Sequence, residues 1–258
     1  MPRWIRFAKD GEVGFGTLED ETIACHEGAL FEDPRPTGET LPLAAVTLLT
    51  PVVPSKMVAL WNNFHALAAK LGLEPPAEPL YFLKANSSFA AGGETIRRPA
   101  SYDGRVVYEG ELGIVIGRRC AGVSEAEAAQ HIFGYTCIND VTAADLLNKD
   151  PTFAQWTRAK SFDGFGVFGP VVATELDPAG LSVRTVLNGE ERQNYPIGDM
   201  IFPPAALVSR ISQDMTLLPG DVIACGTSLG VGSMKQPSNT VEVSIEGIGT
   251  LSNVFLQD

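Results

Sequence analysis

Two glutamates separated by one residue stand in an apolar stretch of the chain, residues 106–117, and are the first candidates for chemistry. Branched and apolar residues dominate this stretch, which predicts a β-strand whose side chains alternate between two faces. Glu109 and Glu111 would then share one face, roughly 7 Å apart at about 3.3 Å per residue. Two carboxylates so close to each other, with apolar neighbours, repel each other unless a cation neutralises them. The alternative is a polar pair that faces solvent.

Two later stretches extend this pair of carboxylates. Asp140 ends another short apolar run, residues 134–141, and would supply a third carboxylate oxygen. Three carboxylates without clustered His or Cys suit a hard ion such as Mg²⁺, Mn²⁺ or Ca²⁺ rather than Zn²⁺. Lys160 stands in an apolar, Gly-rich stretch that predicts a loop. Its ammonium would balance the negative charge that three carboxylates leave on a divalent ion.

The elements that must position these residues are predicted to be mainly β-strands with a few short helices, an α+β pattern. The 26 glycines and 18 prolines are spread along the 258 residues, as in a turn-rich β protein. Residues 1–50 alternate in polarity and predict a small N-terminal β module. A stiff Pro-Val-Val-Pro segment at residues 51–54 then leads into a metal-dependent catalytic domain over residues 55–258.

Composition narrows the partners and the compartment. The net charge of −12 argues against nucleic acid and anionic membranes as partners. The four cysteines show no Cys-x-x-Cys spacing and indicate reduced thiols in a cytoplasmic protein. No secretion signal and no apolar run long enough to span a bilayer is present in the sequence. We therefore expect a cytoplasmic protein that binds a small molecule.

Four motifs, in their order and spacing, resemble those of the fumarylacetoacetate hydrolase family. They are Tyr-Glu-Gly-Glu-Leu at 108–112, Asn-Asp-Val-Thr-Ala-Ala-Asp-Leu at 139–146, Lys-Ser-Phe-Asp at 160–163 with Gly-Pro at 169–170, and Pro-Gly-Asp-Val-Ile-Ala-Cys-Gly-Thr at 219–227. The resemblance covers roughly residues 55–255. It implies a mixed β-roll, a homodimer, and Glu109, Glu111 and Asp140 as ligands of Mg²⁺ or Mn²⁺, with Ca²⁺ as an ion that a crystal could hold instead.

The resemblance also implies a set of residues near the substrate. Thr227 ends a predicted strand like the Thr with which the family contacts substrate, although by itself it would be an ordinary loop residue. Lys84 and Ser87 could bind a substrate carboxylate, or could simply form an exposed strand end. The complete set of candidate substrate contacts is Thr227, Gly226, Lys84, Ser87, Tyr108 and Gln155.

One departure from the family pattern concerns the base that activates water. Many members carry Asn-Tyr-x-x-His with a Glu three residues later, on a helix that we predict here from about residue 63 to residue 71. Asn63 and Phe64 fit the start of this pattern, but Leu67 stands at the His position and no Glu follows within the helix. His65 comes two residues early. It is the second candidate catalytic residue besides Lys160, with a packing or surface position as the alternative.

The metal site and Lys160 suggest a class of reaction. A 2-oxo acid can chelate a divalent ion, which then stabilises enolate charge as a Lewis acid, and Lys160 adds a second positive charge. Because the usual water-activating pair is out of register, we expect decarboxylation or isomerisation of a 2-oxo (di)acid or its dienoate. Hydrolysis of the C–C bond of an acylpyruvate or fumarylpyruvate-like substrate is the alternative. A non-catalytic, metal-dependent protein that binds a small acid is a third hypothesis.

Overall fold

The computed structural model describes residues 1–257. Strands account for 44% of the structure and helices for 16%, which confirms the predicted mainly-β fold with short helices. The first ten strands are β1 Arg3–Lys9, β2 Glu12–Glu19, β3 Thr22–Glu27, β4 Arg35–Pro42, β5 Thr47–Leu48, β6 Met57–Trp61, β7 Leu80–Lys84, β8 Phe89–Ala90, β9 Thr95–Arg97 and β10 Val106–Tyr108. The other ten are β11 Gly110–Ile116, β12 Ile132–Asp140, β13 Thr142–Ala143, β14 Gly166–Ala173, β15 Ser182–Leu187, β16 Glu190–Pro196, β17 Val222–Ala224, β18 Gly232–Ser233, β19 Ser238–Ile245 and β20 Gly249–Leu256.

Four short α-helices lie between the strands. They are α1 His65–Leu71, α2 Glu125–Ala128, α3 Trp156–Lys160 and α4 Pro204–Asp214. Gly72 ends α1 with a left-handed φ of 67°, as expected for a glycine after the last turn of a helix. None of the helices in residues 1–257 combines the length and apolar character needed to cross a bilayer.

A 12-stranded sheet forms the body of the molecule. Its main path runs β4-β3-β2-β1-β14-β12-β11-β17-β6-β7, with β5 beside β1 and β8 beside β14. Most neighbours are antiparallel, but β17 pairs with β6 and β14 with β8 in parallel. Because β8 follows β7 closely in the chain and yet pairs with β14 in the middle of the sheet, the sheet curls over itself as a mixed β-roll.

The central strands β11 and β12 carry polar side chains into the core. Every residue of β11 is buried, as are the last five residues of β12. Strands that are buried along their whole length are rich in Val, Ile and Leu, and residues 112–116 follow this rule. A carboxylate on such a strand is removed from bulk water and needs partners inside the protein.

Two smaller sheets complete the fold. A five-stranded sheet has the order β16-β15-β19-β20-β9, and a three-stranded sheet has the order β13-β10-β18. The N-terminal strands are not a separate sheet, because β1 pairs with β14 of the main body. The proposed boundary between residues 1–50 and residues 55–258 stays a prediction.

Two local predictions are wrong. The stretch 106–117 is not one strand, because β10 and β11 join different sheets and Glu109 lies at the break between them. Lys160 is not in a loop but is the last residue of α3, a single short turn of helix. Helices of this length depend on tertiary contacts rather than on their own sequence. The Gly-rich sequence around Lys160 therefore predicted a loop instead of a helix.

Candidate metal centre

Three carboxylates converge at the adjoining ends of β11 and β12. Glu109, Glu111 and Asp140 each offer an oxygen, and these oxygens all lie within 4.8 Å of one another. The two strands are antiparallel, with Gly110 opposite Asn139, so that the glutamates lie beside the end of β12. The backbone N–H of Asp140 donates to the carbonyl of Glu109 at 2.9 Å, which fixes the break between the two sheets. The site is therefore built by backbone pairing.

Gly110 is the residue that allows the two glutamates to approach the neighbouring sheet. A Cβ at this position would lie 2.0 Å from the hydroxyl oxygen of Thr185 on β15. The N–H of Gly110 donates to the side-chain oxygen of Gln193 at 2.9 Å, and its carbonyl accepts a bond of 2.6 Å from the hydroxyl of Tyr195. A larger residue fits this position only if the Thr185 side chain moves.

Lys160 neutralises part of the acidic cluster. Its ammonium Nζ donates to Oε2 of Glu109 and to Oδ2 of Asp140, at 2.6 Å in each case. Burial opposes the charge on this ammonium, but Asp140, Glu109 and Glu111 together raise the pKa of Lys160 above its ordinary value. Lys160 is therefore held as a cation at the cluster.

Lys84 is a second buried cation that contacts the cluster. Its side chain is completely buried, and its ammonium donates to Oδ1 of Asp140 and to the backbone carbonyl of Lys160. Burial lowers the pKa of Lys84, while the two lysines hold the pKa of Asp140 below its ordinary value against the effect of burial. The predicted contact between Lys84 and a substrate carboxylate finds no support in this arrangement. Lys84 instead fixes Asp140 in place.

Glu111 has one oxygen without a partner. Its Oε2 accepts a hydrogen bond of 2.9 Å from the N–H of Gly226, whereas Oε1 is buried and has no partner within residues 1–257. Burial, reinforced by the charge of Asp140, raises the pKa of Glu111 well above its ordinary value. An unpartnered carboxylate oxygen beside two others fits a hard divalent cation such as Mg²⁺ or Mn²⁺. The three carboxylates therefore fit the divalent ion that the sequence predicts for them.

Two predicted substrate contacts use their hydroxyl groups within the fold. The Thr227 hydroxyl donates to the carbonyl of Gly110 at 3.0 Å and accepts a bond of 2.9 Å from the amide of Gln193. The buried Tyr108 donates to the carbonyl of Gly230 at 2.9 Å. Gly226 is also a predicted substrate contact, and its N–H donates a hydrogen bond to Glu111.

The side chains of the remaining predicted residues make no hydrogen bond or ion pair with the three carboxylates. Ser87 is exposed and lines a cavity of about 650 Å³ that also includes Ser161, the residue after Lys160. Gln155 precedes α3 and its side chain makes no hydrogen bond among the described residues. His65 is the exposed first residue of α1 and has no hydrogen bond or ion pair to any other candidate residue within residues 1–257.

Several residues of the site were missed by sequence reasoning. The hydroxyl of Thr142 donates to Oε1 of Glu109 at 3.2 Å, and the side chain of Asn139 accepts from the N–H of Glu109 at 3.2 Å. Both residues lie near Asp140 in the motif at 139–146, so their position in the sequence could have predicted that they belong to the site. The ammonium of Lys160 lies 5.4 Å from the ring centre of Phe82, on which Trp156 stacks at 5.2 Å. Nothing local in the sequence pairs these two rings.

The fold and the acidic site agree with the family comparison. Residues 56–256 match the fumarylacetoacetate (FAA) hydrolase C-terminal family, and residues 3–51 match the Rv2993c-like N-terminal family. The chain therefore belongs to the fumarylacetoacetate hydrolase family, which confirms the resemblance seen in its motifs.

Curated relatives include both uncharacterised proteins and enzymes. Protein Rv2993c of Mycobacterium tuberculosis is 44% identical over 98% of this chain and 94% of its own length. The 4-hydroxyphenylacetate degradation bifunctional isomerase/decarboxylase of Salmonella dublin is 37% identical over 93% of this chain and 53% of its own length. Oxaloacetate tautomerase YisK of Bacillus subtilis is 35% identical over 82% of this chain and 73% of its own length.

Two solved structures bear on the site. The 2-hydroxyhepta-2,4-diene-1,7-dioate isomerase of Mycobacterium marinum matches with a TM-score of 0.91 and 41% identity, over 100% of this chain and 99% of its own. The maleylpyruvate hydrolase of Sphingobium sp. SYK-6, solved with manganese(II) and pyruvate, matches with a TM-score of 0.79 and 26% identity, over 98% and 99%. This fold therefore occurs in an isomerase and in a hydrolase that binds manganese.

Proposed function

We propose that this chain is a divalent-metal-dependent enzyme that isomerises or decarboxylates a 2-oxo diacid or its dienoate. The observation that supports it most directly is the unpartnered oxygen of Glu111 beside Glu109 and Asp140. Mg²⁺ or Mn²⁺ held by these three carboxylates would supply Lewis-acid stabilisation of negative charge on a substrate oxygen. The names of the isomerase/decarboxylase and of the oxaloacetate tautomerase agree with this class of reaction.

Charge balance supports an acidic substrate. The three carboxylates face the ammoniums of Lys84 and Lys160, so the cluster without an ion is neutral when Glu111 carries a proton. With a divalent ion and all three carboxylates ionised, the same group of residues has one net positive charge. An anionic substrate would compensate that charge, although the protein as a whole has a net charge of −12.

The residues around Lys160 suit the stabilisation of an oxyanion. The raised pKa of Lys160, which its carboxylate neighbours cause against the effect of burial, keeps a proton on Nζ. This ammonium can therefore donate to a substrate oxygen that gains negative charge. The rings of Phe82 and Trp156 form an apolar wall beside it, which limits access of water to the reacting atoms.

Hydrolysis of an acylpyruvate-like C–C bond remains the second candidate, because the maleylpyruvate hydrolase shares the fold. Hydrolysis requires a base that activates water. His65 is exposed and makes no hydrogen bond to the cluster within residues 1–257, and Leu67 stands where the family pattern has its His. These features favour isomerisation or decarboxylation, which do not require that base.

The test is turnover with and without Mn²⁺. With oxaloacetate, keto–enol exchange and release of CO₂ are measured. With acetylpyruvate, cleavage of the C–C bond is measured. Each reaction is repeated with a chelator in place of Mn²⁺. We expect Mn²⁺-dependent conversion of oxaloacetate that is lost in Lys160→Met and kept in the exposed control Lys235→Met. Cleavage of acetylpyruvate alone would support the hydrolase. If the Lys160→Met variant still binds oxaloacetate, and neither it nor the wild type turns oxaloacetate over, the chain would be a binding protein. That result would overturn the proposal.

We also propose a cytoplasmic homodimer, as the family resemblance implies. One edge strand of the main sheet, β7, exposes Leu80 and Leu83, each at more than two-fifths of its full area. Exposed apolar side chains on an edge strand are a common feature of association surfaces. Sedimentation equilibrium of the protein and of a double Leu80→Glu, Leu83→Glu variant tests this proposal. A wild-type monomer would contradict it.

A further inference from the structure

The strand β16 presents two buried side chains to the segment that carries the glutamates. Gln193 and Tyr195 are the only buried residues of β16, and they are 1% and 5% exposed. Side chains two positions apart lie on the same face of a strand, so both can contact the same neighbour. That neighbour is Gly110, the residue between Glu109 and Glu111, and both side chains bond to it.

Gly110 needs these side chains because no strand pairs with one side of its backbone. The bond from the N–H of Asp140 to the carbonyl of Glu109 makes Gly110 and Asn139 a non-hydrogen-bonded pair of β11 and β12. The N–H and the carbonyl of Gly110 therefore point away from β12. On the other side, β17 pairs with β11 only at residues 113–115. Unpaired backbone groups in the core are costly, so side chains supply the missing partners.

The two side chains hold two different peptide groups. The N–H of Gly110 belongs to the peptide that joins it to Glu109, and it donates to the side-chain oxygen of Gln193 at 2.9 Å. The carbonyl of Gly110 belongs to the peptide that joins it to Glu111, and it accepts from the hydroxyl of Tyr195 at 2.6 Å. The strand β16 therefore fixes the backbone next to each glutamate, and with it the direction of each carboxylate side chain.

Gln193 also holds the segment that follows β17. Its amide nitrogen donates to the hydroxyl of Thr227 at 2.9 Å and to the carbonyl of Leu229 at 3.2 Å. The same segment supplies the N–H of Gly226 that bonds to Glu111. Because both ends of the Gln193 amide have partners, the side chain is fixed in one orientation. Its effect on the carboxylates passes through these neighbours.

We propose that Gln193 and Tyr195 are positioning residues for the metal ion, which hold Glu109 and Glu111 in the arrangement that a divalent cation requires. This inference rests on the proposed function for its ion. It goes beyond that function because it assigns the role to the five-stranded sheet, which carries none of the three carboxylates. Groups that orient the ligands of a metal typically change its affinity when they are removed.

The two residues should differ in the size of their effect. The carbonyl of Gly110 also accepts a bond of 3.0 Å from Thr227, which remains in Tyr195→Phe. Gln193→Met keeps the length of the side chain but removes its bonds to Gly110 and to the segment after β17. We expect Mn²⁺ affinity of the full chain to fall about tenfold in Gln193→Met and about threefold in Tyr195→Phe.

Electron paramagnetic resonance measures both the affinity and the arrangement of the ligands. The signal of free Mn²⁺ gives the affinity, and the zero-field splitting of bound Mn²⁺ at saturation reports the symmetry of its ligands. We expect this splitting to change in both variants, although all three carboxylates are present. A loss of stability alone would leave it unchanged.

Asn253→Leu is the matched control for Gln193→Met. Asn253 lies on β20 of the same sheet, is 4% exposed, and donates through its amide to the carbonyls of Ala91 and Glu94. The control should lower the Tm as Gln193→Met does, but leave Mn²⁺ affinity within about twofold and the splitting unchanged. Equal losses of Mn²⁺ affinity in both variants would overturn the inference. Wild-type affinity and splitting in Gln193→Met would also overturn it.

If Gln193→Met does not fold, Tyr195→Phe decides the question. Its control is Tyr102→Phe, because the hydroxyl of Tyr102, a buried residue, also donates to a backbone carbonyl, that of Arg105, at 2.9 Å. Unchanged Mn²⁺ affinity and splitting in Tyr195→Phe would overturn the inference.

The outcome is separable from that of the proposed function because every readout is Mn²⁺ binding. If the wild type binds Mn²⁺ but converts no 2-oxo acid, and the variants behave as expected, this inference holds while the proposed function fails. If turnover depends on Mn²⁺ but Gln193→Met binds the ion like the wild type, the proposed function holds and this inference fails. A wild type that binds no Mn²⁺ would overturn both.

Discussion

The backbone N–H of Gly226 donates a hydrogen bond of 2.9 Å to one oxygen of Glu111 and leaves the other oxygen without a partner. This single bond orients the carboxylate, because a buried side chain with one fixed oxygen cannot rotate freely. It also joins the segment that follows β17, which contains Gly226, to β11. The arrangement leads to predictions on metal binding and on stability.

Glu111→Gln should abolish most metal binding without unfolding the protein. The amide oxygen still accepts the bond from Gly226, but the negative charge and the second carboxylate oxygen are lost. We expect the affinity for Mn²⁺ to fall at least about tenfold, since affinity for hard cations depends on the number of charged ligands. Calorimetric titration with Mn²⁺ measures this. Glu242→Gln on β19 is the control, and an equal loss in that variant would contradict the assignment.

Mn²⁺ binding should release protons at mildly acidic pH. Burial and the charge of Asp140 raise the pKa of Glu111 well above 4.5, so this group holds a proton at pH values where an ordinary glutamate is ionised. The ion binds the carboxylate form, and its affinity therefore falls as the pH drops through the raised pKa. Titrations in buffers with different ionisation enthalpies count the protons. Release of the same number by wild type and Glu111→Gln would refute this prediction.

Lys84→Met should destabilise the metal-free protein more than the Mn²⁺-loaded protein. The variant keeps a long side chain but removes one of the two ammoniums that face Asp140, which leaves excess buried negative charge. Breaking a buried ion pair costs about 3–5 kcal/mol. A bound divalent cation offsets part of this charge. Urea unfolding with Mn²⁺ and with chelator measures the difference, and Lys235→Met is the exposed control. Equal destabilisation in both conditions would contradict the prediction.

Gly110→Ala should be among the most destabilising single changes in the site. The new methyl group would lie 2.0 Å from the hydroxyl oxygen of Thr185 and 3.3 Å from its Cβ, so the buried Thr185 side chain must move. Overpacking of this kind costs about 1–3 kcal/mol, and the displaced glutamates should also bind Mn²⁺ more weakly. Gly180→Ala, at an exposed turn with no atom within 4 Å of the new methyl group, is the matched control. Thermal unfolding and Mn²⁺ titration of both variants test this prediction.

The sequence was informative where chemistry depends on residue type and spacing. Three carboxylates and a lysine in short apolar stretches were sufficient to predict the acidic cluster, because a buried charge requires a partner wherever the chain folds. The mainly-β class followed from turn residues. Contacts between segments far apart in the chain were not accessible in this way. The ammonium of Lys84 contacts Asp140 only because the sheet curls, and no local pattern encodes that curvature.

The predictions for Thr227 and Tyr108 show a second limit. A hydroxyl near a ligand site and a hydroxyl that supports the backbone look the same in a sequence. The structure separates them by their partners, since Thr227 and Tyr108 donate to backbone carbonyls. Hydrogen-bond satisfaction is a property of the folded chain, and the motifs do not predict it.

The pairing of β1 with β14 has a consequence for the order of events during synthesis. Arg3 and Trp4 pair with Ala173 and Val172, which are synthesised long after them. Near the other end of the chain, β20 pairs with β9, which joins residues 254–256 to residues 95–97. Neither pairing can form until the later strand has emerged. The hairpins of β1 to β4 therefore keep an open edge until β14 has been made, and the five-stranded sheet is complete only after β20 has been made.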